Sequence, residues 1–123
     1  MDPLFDHEKL DVYSVELGFI AWIAAFVVDA SKSAAQHRRE LIEQLDRASL
    51  STLLNTAEGN GKRQGRQRAK FFDDARGSAL ECAACLDAAV AKGLVSADRV
   101  YPGKQMLVRV VAMLSRLIDR FNA

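Results

Sequence analysis

Four segments of the chain repeat apolar residues three and four positions apart, which is the spacing of one face of an α-helix. They cover about residues 11–30, 38–58, 68–92 and 97–121, and no useful stretch alternates with the period of two that a strand needs. Short connections between such helices favour antiparallel neighbours. With 123 residues, a length that suits one domain, the sequence predicts an all-α protein over residues 1–123. We expect an antiparallel up-down-up-down four-helix bundle.

The first predicted helix is apolar around its whole circumference, because residues 17–28 (LGFIAWIAAFVV) contain no charged side chain. A bundle helix needs only one apolar stripe, and a membrane span needs about 20 apolar residues, more than this run provides. One face can pack on the other helices, while the second face needs cover from another chain. The alternative is a first helix buried more deeply than usual. The expected subunit interface consists of Phe19, Trp22, Ile23 and Phe26.

The net charge of +1 hides a strong segregation of charge along the chain. Residues 1–30 carry a net charge of −5, residues 31–72 one of +5 and residues 73–123 one of +1. Five bases and no acid lie within residues 61–70 (GKRQGRQRAK). This stretch could bind a nucleic-acid phosphate backbone or form a solvated turn, and repetition around an oligomer would raise its positive potential. The candidate nucleic-acid-binding residues are Lys62, Arg63, Arg66, Arg68 and Lys70, with Arg38, Arg39 and Arg47 as weaker candidates.

Motifs that carry chemistry are weak in this sequence. GNGK at residues 59–62 lacks the spacing of a phosphate-binding loop and follows a helix rather than a strand. Cys82 and Cys85 share one helix face without a second pair, so they are better explained as small core residues than as a redox or zinc half-site. Two cysteines and an acidic start fit a reducing cytoplasm better than secretion. We expect no enzymatic activity, no cofactor, no metal and no membrane partner.

A polar stripe on the second helix lies beside its apolar stripe, and the third helix carries a similar one. In a hairpin of these helices Arg47 reaches the level of Glu81, so we predict an Arg47–Glu81 pair within a hydrogen-bonded network. Such a network would fix the register of the hairpin. The alternative is a small-ligand site at Asn55, Glu58 and Glu81. The predicted members of the network are Arg47, Ser51, Asn55, Glu58, Ser78 and Glu81.

Five short motifs, in order along residues 8–121, resemble those of one known family. They are LDVY at residues 10–13, NTAEG at 55–59 with the Gly-Lys-Arg turn that follows, ARGSALE at 75–81, GLVS at 93–96 and MLSRL at 113–117. Together they resemble the 23S rRNA intervening-sequence proteins, a family of four-helix bundles.

The chain departs from this family pattern at three places. Asp46 and Arg47 stand where two adjacent arginines are common, residues 51–53 (STL) replace Ser-Ile-Pro, and Asn60 replaces a frequent tyrosine. The lost base weakens a transferred nucleic-acid role, and the extra bases of residues 61–70 partly offset that loss.

The resemblance implies a small cytoplasmic bundle that assembles as a homopentameric ring. A similar protein, the accessory variability protein of diversity-generating retroelements, is a basic pentameric bundle that binds nucleic acid and a reverse transcriptase. We therefore expect a non-enzymatic homopentamer that binds RNA or DNA backbone or acts as a scaffold. Two alternatives stay open: a protein–protein adaptor that presents the basic loop to an acidic partner, and a small-ligand binder at the Asn55, Glu58 and Glu81 cluster.

Overall fold

The computed structural model describes residues 2–30 and 36–122, and these contain no strand. Each of α1 and α3 contacts both α2 and α4, so consecutive helices are neighbours around the bundle. This confirms the predicted antiparallel four-helix bundle, while its assembly into a ring stays a prediction. A short 3-10 helix, Asp6–Lys9, precedes the bundle. The four long helices are α1 (Asp11–Ala30), α2 (Gln36–Gly61), α3 (Gly65–Ala91) and α4 (Ala97–Asn122).

The connection between α2 and α3 is only residues 62–64, because both helices extend further than the sequence predicted. Gly59 does not end α2. It is buried where the two helices approach, and a Cβ there would lie 3.0 Å from Cβ of Phe71 and 3.2 Å from the ring of Phe72. Glycine at this position therefore permits close helix packing rather than a helix stop. As a result, most of the predicted basic loop belongs to the first turns of α3.

The core is built mainly by large side chains of α1 and α4 that pack around small residues of α3. Ala75, Ala79 and Cys82 are completely buried, and their small volume lets the neighbouring helices approach. Phe72 and Leu114 are also completely buried. The prediction that the two cysteines are core residues is confirmed, since both are free thiols within this core.

The predicted subunit interface on α1 is wrong, because most of its residues lie in the core of their own chain. Phe19, Ile23 and Phe26 are at most 5% exposed, and Trp22 is half-buried and packs against that core. Their large side chains bury more apolar surface than the opposite side of α1 would. An apolar circumference does not show which side faces inward, and side-chain size decides it here. Among the described residues, no helix contains an apolar stretch of the length that a membrane span requires.

The side of α1 that faces outward is apolar but consists mostly of small residues. Leu17 is 45% exposed. The other exposed members are Gly18, Ala21, Ala24 and Ala25. This second face carries no charge. We expected a partner on α1 because exposed apolar surface favours association, and that argument applies to this face rather than to the aromatic one.

α4 passes through Pro102 without ending. The residue after it, Gly103, is buried against the Trp22 ring, which a Cβ at that position would overlap. The helix begins at Ala97, as the sequence predicted. Pro102 is the sixth residue of the helix, so the backbone hydrogen bond that it removes is one of the first in α4. The adjacent glycine makes room for the tryptophan.

Candidate functional site

The two lysines of the predicted basic stretch flank the ring of Phe71. Lys62 Nζ lies 5.0 Å from the ring centroid and Lys70 Nζ lies 5.1 Å from it, within the range of cation–π attraction. Each lysine also has an acid one helical turn away: Lys62 is 3.7 Å from Glu58, and Lys70 is 3.5 Å from Asp74. Internal partners thus offset part of both charges, which leaves the lysines weaker contributors to an external anion site.

Arg68 joins the turn to the end of α4. Its Nε donates to the carbonyl oxygen of Lys62 at 2.6 Å, and its guanidinium lies 5.0 Å from the ring centroid of Phe121. Gly65 permits this approach, because a Cβ there would lie 2.9 Å from the carbonyl oxygen of Phe121. The half-buried Arg68 therefore holds the turn in place, and we reassign it from the phosphate-contacting set to the framework of the site.

The turn arginines, Arg63 and Arg66, are the exposed bases that remain. Neither has a hydrogen-bond or ion-pair partner among the residues that the structure describes. A guanidinium without an internal partner keeps its donors for a ligand. Arg63 is on the connecting turn and Arg66 is in the first turn of α3, so two unpartnered positive charges lie at this end of the bundle beside Arg68.

The weaker candidates lie elsewhere on α2. Arg38 and Arg39 belong to its first turn, more than 30 Å along the helix from the turn arginines by the helical rise of about 1.5 Å per residue. Arg38 lines a small cavity with Phe26. The structure therefore does not bring these residues together with the turn arginines.

The polar network between α2 and α3 is present in part. Ser51 and Ser78 share a hydrogen bond between their hydroxyl oxygens at 2.9 Å, and Asn55 Nδ2 donates to Oγ of Ser51 at 3.1 Å. The predicted direct pair of Arg47 and Glu81 is wrong. Gln44 lies between them, so Arg47 donates to Gln44 and Gln44 donates to Glu81, each at 3.3 Å.

Glu58 is not part of this network, because it pairs with Lys62 instead. Three grooves between described residues, with volumes of about 790, 520 and 360 Å³, run along α4, and none of the three is lined by Asn55, Glu58 or Glu81. The observed contacts between α2 and α3 therefore act to fix the hairpin register, and the grooves give no support to a ligand site at that cluster.

A buried acid on α1 was missed by the sequence reasoning. Glu16 is 2% exposed, and Thr56 Oγ1 lies 2.6 Å from its Oε2. Its other carboxylate oxygen is buried without a hydrogen-bond partner in the described part of the chain. Burial raises the pKa of Glu16 to about 8, and the Thr56 hydrogen bond offsets only part of that rise. The available signal was its position, four residues after Val12 and seven before Ile23 on the buried face.

The acidic N-terminal segment lies at the same end of the bundle as the basic turn. Asn60, near the end of α2, donates to Oδ2 of Asp6 at 2.9 Å. Glu8 accepts hydrogen bonds from the backbone N–H groups of Phe5 and Leu4, which hold the pKa of its carboxyl below the usual value. Charges that are separated along the sequence are thus brought to the same end of the bundle.

The fold and this surface define a small antiparallel four-helix bundle with an arginine-bearing turn at one end. The chain belongs to the 23S rRNA-intervening sequence protein family, whose profile matches residues 8–116. This confirms the family that the short motifs indicated. Two of those motifs also meet in the structure, since Arg76 Nε donates to Oγ of Ser115 at 2.9 Å between α3 and α4. No curated protein matches the chain with significant similarity.

Proposed function

We propose that this protein is a non-enzymatic, homo-oligomeric bundle that binds the phosphate backbone of RNA or DNA through its turn arginines. The observation that carries the proposal is that Arg63 and Arg66 are exposed and unpartnered within the described chain, on a turn held by Arg68. Guanidinium groups bind phosphate oxygens in a bidentate manner. Residues 61–70 contain no aromatic side chain, so the contact would follow the backbone rather than stack on bases.

The family name refers to a sequence that intervenes in 23S rRNA, which makes RNA the first partner to test. It does not specify which strand or structure is bound. A protein that binds or scaffolds such RNA would account for both the family name and the turn arginines.

We include in the proposal that the active form is a ring, with a homopentamer as its expected size. The support is an exposed apolar surface that combines the second face of α1 with two leucines of α2. These are Leu50 and Leu54, which are 51% and 55% exposed. The Glu16–Thr56 hydrogen bond sets the register of α1 against α2, so Leu17 lies near the level of Leu54. A neighbouring copy covering these leucines would remove exposed apolar surface and would repeat the turn arginines around the assembly.

We also propose a cytoplasmic location. Cys82 and Cys85 are free thiols one helical turn apart. Burial raises the pKa of the Cys82 thiol to about 12 and raises that of Cys85 as well. Protonated, buried thiols are chemically inert and suit a reducing compartment.

The test is the affinity of a fluorescently labelled RNA for the wild-type protein and for Arg63→Ala/Arg66→Ala, measured by anisotropy at fixed salt. We expect the double variant to bind about tenfold more weakly. Lys92→Glu is the matched control, because it changes net charge by the same amount at the opposite end of α3. Equal losses in the two variants would mean that net charge alone governs binding, and would contradict a contact at the turn.

A further inference from the structure

Three arginines follow one another along the outer side of α4. Arg109, Arg116 and Arg120 are all exposed, and their spacing of seven and four residues places them on one face of the helix. The row is about 16 Å long by helical rise. We call it the α4 arginine row.

The charges of this row are largely free of internal partners. Within the part of the chain that the structure describes, Arg109 and Arg116 have no hydrogen-bond or ion-pair partner. Arg120 lies over the ring of Phe121 at 5.4 Å, a contact that leaves its donors unused. By contrast Lys104 on the same helix is paired with Asp87 at 2.6 Å. The unpaired bases are therefore those of the row.

The row lines two adjacent grooves, which together we call the trough. A groove of about 520 Å³ between α1 and α4 includes Arg109 and Arg116, and one of about 360 Å³ beside the N-terminal segment includes Arg116 and Arg120. Arg116, Asp11 and Met113 line both. The two grooves thus adjoin at these residues, with three arginines on one wall and a single shared acid, Asp11, on the other.

The trough leads toward the turn arginines. The guanidinium groups of Arg120 and Arg68 lie 5.4 Å and 5.0 Å from the ring centroid of Phe121. The carbonyl oxygen of Phe121 lies against Gly65, the residue before Arg66. One path of guanidinium groups therefore runs from the turn, past Phe121, and along α4 to Arg109. All the unpaired bases on this path are arginines, the side chain best suited to bidentate phosphate contact.

We propose that this trough binds the phosphate backbone of a single nucleic-acid strand, as a second contact that continues from the turn arginines. The inference rests on the proposed function and extends it. The length of the row suits a short segment of one strand, a few nucleotides long. A recessed trough admits one strand more readily than a duplex. An amphipathic acidic helix fits less well, because it needs exposed apolar anchors, and Val108 is the only exposed large apolar side chain in the lining.

The experiment compares Arg109→Ala/Arg116→Ala with the wild-type protein in binding a labelled oligouridylate of about 12 nucleotides. We expect about tenfold weaker binding and a salt slope reduced by about 1.4, which is two contacts at roughly 0.7 each. Lys92→Glu again controls for net charge, and unchanged circular dichroism and melting temperature control for folding. A loss no greater than that of Lys92→Glu would overturn the trough as a contact.

The two proposals fail in different ways. If only Arg63→Ala/Arg66→Ala loses affinity for RNA, the turn contact is supported and the trough is overturned. If only Arg109→Ala/Arg116→Ala loses affinity, the trough is supported and the turn contact is contradicted. Absence of binding to the oligouridylate by the wild-type protein overturns the trough, and tight binding of a hairpin duplex in the same assay would still support the turn. Equal binding of an oligoglutamate of matched charge, with the same loss in the α4 variant, would instead assign the trough to an acidic peptide.

Discussion

The Thr56 hydroxyl oxygen lies 2.6 Å from Oε2 of Glu16 and 2.9 Å from the carbonyl oxygen of Thr52. A hydroxyl has one proton, so it cannot donate to both oxygens at full strength. If Glu16 keeps its proton, its carboxyl donates to Thr56 and Thr56 donates to Thr52, and each short contact has its own proton. The geometry and the burial therefore both favour a neutral Glu16 at the α1–α2 contact.

Stability is expected to fall as pH rises from about 4.5 to about 8, the usual and the raised pKa of Glu16. The folded state holds one more proton than the unfolded state in this window, so the free energy of unfolding decreases by about 1.4 kcal/mol per pH unit. This contribution is complete below pH 4.5 and is lost as pH passes through 8. Glu16→Gln should remove the slope and be more stable than the wild-type protein at pH 8. Urea unfolding at several pH values measures both effects.

Glu8→Gln is the control for that series. Its carboxyl has a lowered pKa, so its contribution to stability is present above the usual value and is lost only as the solution becomes acidic. Glu8→Gln should therefore leave the slope between pH 5 and pH 8 unchanged. A slope that survives in Glu16→Gln would show that another group holds the proton.

Gly103→Ala should destabilise the protein by about 1–3 kcal/mol, because the new methyl group overlaps the Trp22 ring and forces α1 and α4 apart. Gly77→Ala is the matched control in α3, where a Cβ has nothing within 4 Å. Alanine there should be neutral or stabilising by up to about 1 kcal/mol. Thermal unfolding of both variants compares the two. Equal effects would contradict the packing of Trp22 against Gly103.

Leu54→Asp should lower the mass measured by light scattering, because a charge on the neutral face of α1 and α2 opposes the association of copies. Leu80→Asp is the control. Leu80 has a similar exposure, 46% against 55%, but lies on α3. The wild-type protein and Leu80→Asp should share one oligomeric mass. A wild-type monomer, or equal effects of the two substitutions, would contradict the proposed interface.

The helices could be predicted from the sequence because their apolar spacing is regular and few prolines interrupt it. α1 and α4 begin at the expected residues, and the α2–α3 network of Ser51, Asn55 and Ser78 follows from side chains that share a stripe. These features depend on local spacing and on the order of elements, which a sequence contains directly.

Other features depend on which side chains from distant parts of the chain take up the same space or the same partner. The spacing of residues along the sequence does not determine this. The aromatic face of α1 can pack inward only where the opposite helix leaves space, and Gly103, eighty-one residues after Trp22, makes room for the indole ring. Lys62 and Lys70 find acids and Phe71 within their own chain, so a basic run in sequence is a smaller basic patch in space. Gln44 forms hydrogen bonds with both Arg47 and Glu81 and takes the place of a direct contact between them. The spacing of residues along each helix does not indicate this.

The most direct test of the central claim is the salt dependence of RNA binding, measured as the dissociation constant between about 50 and 300 mM salt. The account predicts that log Kd rises linearly with log salt concentration for the wild-type protein. The slope for Arg63→Ala/Arg66→Ala should be lower by about 1.4 for each subunit that contacts a single strand. An affinity that does not change with salt, or a slope that is the same in both proteins, would contradict a phosphate contact by the turn arginines.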